Sequence, residues 1–319
     1  MLSYTYDQVK GQISIWRNEV PVQTVMHTAE LSFDHKQKLT LIASVKQFFL
    51  THFNIKKSSI YETYVQLPSA AVTYLVIATP IDSLRPKIFS FPLIGDFPYL
   101  GFFDLEKARA KASELNETHF TFLRPVYAYS TLGYFNDPIL SSFLHFDPME
   151  LEELIFHELF HTLFFISGDV DLNENLADYF ARELMQHYYL NQLNKKDAWE
   201  KFLLKSQSQI KRREFLVSVA HRYEALLQKS RPTSKTQAQE LWNTFLIDLG
   251  DPELAKINTP AALASFMTYQ KHQNALESLT WRGGKTPAEK FAKIEMLYYQ
   301  FIRDRKNKLN FMDYLIRNI

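Results

Sequence analysis

The residues of this chain best suited to chemistry lie between Met149 and Tyr189, in the run MELEELIFHELFHTLFFISGDVDLNENLADYFARELMQHYY. His157 and His161 stand four apart, so on a helix they share one face and can aim two imidazole nitrogens at a single point. Glu158 completes an HExxH pattern; rotated by ~100° from His157, it can hold a water and take its proton as general base. Leu154, Ile155, Phe156, Leu159, Phe160, Leu163, Phe164 and Phe165 make the segment apolar nearly all round, which predicts a buried helix. Imidazoles and a carboxylate buried there are costly unless they are paired or bind a cation, and zinc satisfies all three.

After a break at Gly168 and Asp169, a second helix is expected to begin near Asp171 and to present NENLAD. Glu174 is then the natural third ligand. An antiparallel pair of helices turns Glu174 and Asp178, four apart, towards the histidines. Two His and one Glu leave a fourth position for water, the open arrangement of a catalytic zinc. Such a water is acidified and the metal polarises a carbonyl, so amide hydrolysis is the reaction class that fits. Asp178 is placed behind the ligands, accepting the free N–H of a ligand histidine; the alternative is a helix carboxylate favoured by the dipole.

Other positions carry weaker signals. Ser130, Thr131, Leu132 and Gly133, in STLGYF, end a β-type run where an edge strand could hold a peptide by backbone pairing, or they form an ordinary strand end and turn. Tyr269 could donate to a tetrahedral oxyanion, or pack like others of the 17 Tyr. His145, His187, His221 and His272 have no partner at ligand spacing.

The elements that must position these residues follow from periodicity. Val9, Ile13 and Trp16, then Leu39, Ile42, Val45, Phe48 and Phe49, recur at helical spacing and predict two or three helices in an N-terminal arm, residues 1–58. Residues 59–147 change to YVQL, VTYLVIA, KIFSFPLIG and HFTFLRPVYAY, the texture of a small sheet, with one helix in DLEKARAKASEL capped by Asp104. Residues 148–319 are helical, with breaks near Gly168, Pro232, Gly250, Pro260 and Gly283–Gly284. The expected class is α+β and mainly helical, with 59–319 as one catalytic unit.

Composition removes several function classes. With 36 Lys plus Arg against 35 Asp plus Glu, the formal charge of +1 gives no broad field for nucleic acid. The basic run KSQSQIKRREF reads as a solvated helix face. Zero Cys exclude disulfides, iron–sulfur ligation and thiol catalysis, and leave metal ligation to His, Asp and Glu. The longest apolar stretch, Ala70 to Pro80, is far below the ~20 residues that cross a bilayer. The start, MLSYTYDQVKGQISIWRNE, lacks the basic and apolar regions of a secretory signal.

HExxH followed by NExxxD resembles the gluzincin metallopeptidases. With Gly168-Asp169 in the link and 13 residues from His161 to Glu174, HELFHTLFFISGDVDLNENLA resembles the bacterial putative aminopeptidase family. YTYDQVKGQISIW, YLGFFDLEKARAKASEL, YAYSTLGYFNDPILSSFL, KRREFL and INTPAALASFMTY resemble other segments of that family, so the likeness covers most of residues 4–280. It implies one zinc held by His157, His161 and Glu174, Glu158 as the catalytic carboxylate, a peptide substrate and a gluzincin-like core. The subclass it implies, aminopeptidase, would require a carboxylate for the substrate's free amine, and Asp137, Glu153 and Asp169 are all open to that role. The chain departs from the family at Asp178, where a small or hydroxyl residue is usual, and at Tyr134, where Trp is usual. The resemblance also implies a leader ahead of Tyr4, absent from this sequence, as the one route to membrane contact, and hence a bacterial envelope location; a cytoplasmic one is the alternative. The competing functions are a non-catalytic zinc-binding scaffold and a zinc hydrolase of a non-peptide amide.

Overall fold

The computed structural model describes residues 2–29, 31–91, 95–128, 136–190, 196–252, 254, 257–270, 272–279, 281, 285–304 and 309–319. The N-terminal part runs α1 (Leu2–Arg17), β1 (Val20–Pro21), α2 (Val22–Met26), α3 (Phe33–His52), β2 (Thr63–Val65), β3 (Thr73–Thr79), β4 (Phe89–Phe91), β5 (Gly95–Phe97), β6 (Leu100–Phe102), α4 (Leu105–Leu115) and β7 (Phe120–Val126). Then come β8 (Ile139–Leu140), a 3₁₀ turn (Ser141–His145), α5 (Pro148–His161), α6 (Val170–Leu190), α7 (Lys196–Ser230), α8 (Lys235–Leu249), α9 (Pro260–Gln270), α10 (Gln273–Glu277), α11 (Pro287–Arg303) and α12 (Phe311–Asn318). The fold is α+β and mainly helical, as the periodicity predicts.

The helix starts follow local chemistry. The Asp104 carboxylate accepts from Lys107 N at 3.0 Å and caps α4, and Asp147 accepts from Met149 N and Glu150 N to cap α5, with Pro148 at its first position. Thr286 and Glu289 form a reciprocal capping box on α11. Gly168 supplies a φ of +80° in the α5–α6 link, a conformation open to glycine at little cost. Gly283 and Gly284 lie outside the described residues.

The expected small sheet is divided. Antiparallel β6-β3-β7 is built on the two seven-residue strands, while β1-β2-β8, with β2 and β8 parallel, and the hairpin β4-β5 are made of strands of two or three residues. Such short strands carry no period of their own, and β1 comes from the predicted N-terminal arm. Pro125 is tolerated in β7 because, among the described residues, β7 pairs with β3 alone and forms the edge of its sheet.

The main core joins segments distant in sequence. Ile42, Val45 and Phe49 of α3 share one apolar cluster with Ile155, Phe156 and Leu159 of α5 and with Leu184 and Met185 of α6. On the other side of α5, Phe160 stacks on Phe180 of α6 at 4.6 Å, and Phe291 of α11 meets both edge-on. Burying each such side chain contributes about 1.5–3 kcal/mol, so the α5–α6 pair is clamped from two sides. Tyr223 of α7 and Trp242 of α8 centre a third cluster.

The basic run on α7 is not one solvated face. Arg213 is 5% exposed and donates to Glu277 at 2.8 Å and Asn274 at 3.1 Å, tying α7 to α10. Arg212 pairs with Asp251 at 2.8 Å. No described helix is long and apolar enough to cross a membrane.

Candidate metal centre

The antiparallel course of α5 and α6 is visible in the pairs it makes: the later ligand position of α5 meets the earlier carboxylate of α6. His157 Nε2 lies 3.4 Å from Glu174 Oε2, and His161 Nε2 lies 3.7 Å from Glu174 Oε1. The two Nε2 atoms are 3.1 Å apart, with the rings nearly perpendicular at 80°. A tetrahedral site with metal–ligand bonds of about 2.0–2.1 Å has donor–donor edges of about 3.4 Å, so three donors already stand near the corners such an ion needs. His157, His161 and Glu174 are the one such group among the described residues. The donor set, two nitrogens and a carboxylate without sulfur, suits zinc and other divalent first-row ions.

Three features hold the donors in place. His157 donates its Nδ1–H to Asp178 Oδ1 at 2.8 Å, which directs Nε2 at the shared point. The buried Asn173 side chain forms a cyclic pair with Ile166, donating to its carbonyl and accepting from its N–H, both at 2.8 Å, and so fixes the link 162–169. Fully buried Asn175 donates to Thr268 O at 2.9 Å and accepts from His272 N at 3.0 Å, binding the start of α6 to α9 and the turn after it. Glu174 thus sits between two asparagines whose hydrogen bonds fix its helix. Sequence reasoning missed both roles, since their partners are backbone groups; a signal was present in the two asparagines bracketing a ligand on an otherwise apolar face.

The ionisable groups of the site shift one another strongly. Burial alone would depress His157, but the Asp178 and Glu174 carboxylates outweigh it and hold His157 well above its ordinary value. Burial drives His161 down to about 4, with the neighbouring His157 charge adding to the fall, so its ring is neutral near pH 7. Among the described residues, no partner reaches the Nδ1 of His161. Burial would raise Glu174, yet the His157 hydrogen bond and the charges of His161, His157 and Arg124 keep it below the usual carboxylate range. Arg124, on β7, has no counterpart in the sequence reading. Glu158 is 6% exposed and pushed up to about 7, chiefly by burial and then by Glu174, Asp137 and Asp178, against the pull of His157.

The three donors open onto a cavity of about 920 Å³ that Glu158 and Asp178 also line. The cavity is lined by β3 and β7 on one side and by Gln8, Val9 and Gln12 of α1 on another. Of the three carboxylates open to an amine-binding role, Glu153 lines this cavity and the other two do not. Asp169 accepts from Leu172 N at 3.2 Å at the start of α6, and Asp137 is buried, its carbonyl accepting from Tyr61 N. Ser130, Thr131, Leu132 and Gly133 and the Tyr269 side chain lie outside the described residues.

Among known proteins, the family model described as "Putative aminopeptidase" matches residues 3–309. No curated protein and no solved structure matches the chain.

Proposed function

We propose, since the chain belongs to the putative aminopeptidase family, that it is a zinc-dependent metallopeptidase of gluzincin type that removes N-terminal residues from peptides. The observation that supports this most is the convergence of His157, His161 and Glu174 at 3.1–3.7 Å beside a carboxylate at the next position, Glu158, on the wall of one cavity. His157, His161 and Glu174 would hold the ion, about one per chain. When bound, zinc supplies an acidified water and a polarised carbonyl.

The chain's own residues carry the rest. Glu158 orients the attacking water and takes its proton; a carboxyl pushed to about 7 is well matched to gaining that proton and returning it to the leaving amine near neutral pH. Asp178 accepts the Nδ1–H of His157 and so leaves Nε2 as the nitrogen that would hold the ion.

Glu158→Gln tests the reading. The variant is expected to retain zinc and to lose peptide hydrolysis by at least ~10²-fold, the scale of a general base. Turnover unchanged from wild type would remove Glu158 from the mechanism.

A further inference from the structure

Glu153 is a buried-side carboxylate that the proposed hydrolysis leaves unused. It lies one helical turn before His157, and the cavity-lining residues Glu150, Glu153, Leu154, His157, Glu158 and His161 form one stripe of α5. Three cationic groups, Arg182, His157 and Lys205, act on it from a distance, but each is engaged elsewhere, His157 with Asp178 at 2.8 Å. Arg182 pairs with Glu277 at 3.1 Å, and Lys205 pairs with Glu150 at 2.6 Å and Asp147 at 3.5 Å. Among the described residues, no hydrogen bond or ion pair reaches the Glu153 carboxylate. A carboxylate left without a partner in a partly desolvated wall is held at a cost that a bound cation would offset.

We infer that Glu153 is the residue that binds the substrate's free α-ammonium group and thereby restricts cleavage to the first peptide bond, an inference that rests on the peptidase reading. In an N-terminal residue, the amine nitrogen is about 2.5 Å from the scissile carbonyl carbon, across two bonds. An ammonium–carboxylate contact adds about 2.8 Å, so the anchor belongs about 5 Å from the reacting carbon. Helix positions four apart have Cβ atoms about 5–6 Å apart, so Glu153 stands on the cavity wall one turn from the ligand at His157, on the scale that this anchor needs. An amine one residue further away would need about 3.5 Å more, so the spacing selects removal of single residues. Burial, and next the Asp178 charge, raise Glu153 above its ordinary value against the pull of Arg182, which agrees with a carboxylate that gains from a bound cation.

The test compares zinc-loaded wild type, Glu153→Gln and Glu153→Asp on leucine 4-nitroanilide and its N-acetylated form. Zinc content serves as the control for folding. Wild type is expected to favour the free amine by about 100-fold or more; Glu153→Gln is expected to lose about 10- to 100-fold in kcat/KM on that substrate, mainly through KM, and nothing on the acetylated one. Glu153→Asp should recover part of the loss. Leucinamide binding to the metal-free proteins, followed by calorimetry, should weaken in Glu153→Gln by a similar factor, while acetyl-leucinamide binding stays equal. A Glu153→Gln enzyme that keeps the free-amine preference would overturn the inference while leaving the peptidase reading intact. If wild type cleaves no peptide, that reading fails on its own, and equal leucinamide binding by the two proteins would then dispose of Glu153 as an amine site.

Discussion

Replacing Asp178 by Asn keeps the shape of the group behind His157 and removes its charge. The hydrogen bond at stake is 2.8 Å long and joins an imidazole Nδ1–H to a carboxylate, so it is charge-assisted. Hydrogen bonds to charged groups contribute about 1.5–3 kcal/mol and neutral ones about 0.5–1.5, so the substitution should cost about 1–2 kcal/mol of ligand positioning and basicity. That corresponds to roughly 5- to 30-fold weaker zinc binding, at 1.36 kcal/mol per tenfold change. The assay is competition for zinc against a chromophoric chelator at several pH values. Asp178 also helps hold His157 well above its ordinary value, and zinc must displace that proton. As pH falls below the raised value, wild type therefore loses affinity earlier than Asp178→Asn. The ratio of the two affinities should be largest at pH 8 and shrink towards pH 6. Equal affinities at pH 8, or a ratio that grows on acidification, would refute the reasoning.

Two further outcomes follow from the same geometry. Asn173→Ala leaves the buried N–H of Ile166 without its partner and its C=O with only the 3.3 Å bond from Asp169 N, so it should lower stability by about 1–3 kcal/mol in urea unfolding; a loss under ~0.5 kcal/mol would mean that the link 162–169 is not held by this pair. Glu158, raised by burial from its ordinary 4.5 to about 7, makes the metal-free native state bind a proton that the unfolded chain has released, so stability falls as pH rises through that window, by at most about 3 kcal/mol. His161, lowered to about 4, contributes the opposite slope between about 4 and 6.5, so the clean observable is the difference between wild type and Glu158→Gln. Metal-free Glu158→Gln should gain on wild type from pH 5 to pH 8, and parallel stability curves would contradict the assignment.

How much could be read from the sequence depends on how local each cause is. The donors were legible because helix periodicity alone puts His157 and His161 on one face, and Glu174 and Asp178 on another. Helix α4 was legible from Asp104 and the Ala-rich run behind it, and β3 and β7 from seven-residue runs long enough to show their character. Strands β1 and β8 hold two residues each and pair with β2 across gaps of about 40 to 75 positions, which no local pattern encodes. Arg213 looked like part of a surface charge run because its partners, Glu277 and Asn274, lie more than 60 residues away. The choice among Asp137, Glu153 and Asp169 was open for the same reason: all three are acidic residues near the site in sequence, and only tertiary packing decides which one faces the cavity.

The most direct test of the account is metal content by elemental mass spectrometry on tag-free protein, comparing wild type with His161→Ala and Glu158→Gln after zinc is offered. The account predicts about one zinc per chain in wild type and in Glu158→Gln, and loss of it in His161→Ala. Wild-type protein that takes up no zinc, or a His161→Ala variant that keeps it, would return the paired histidines to core packing and remove the basis for a metallopeptidase.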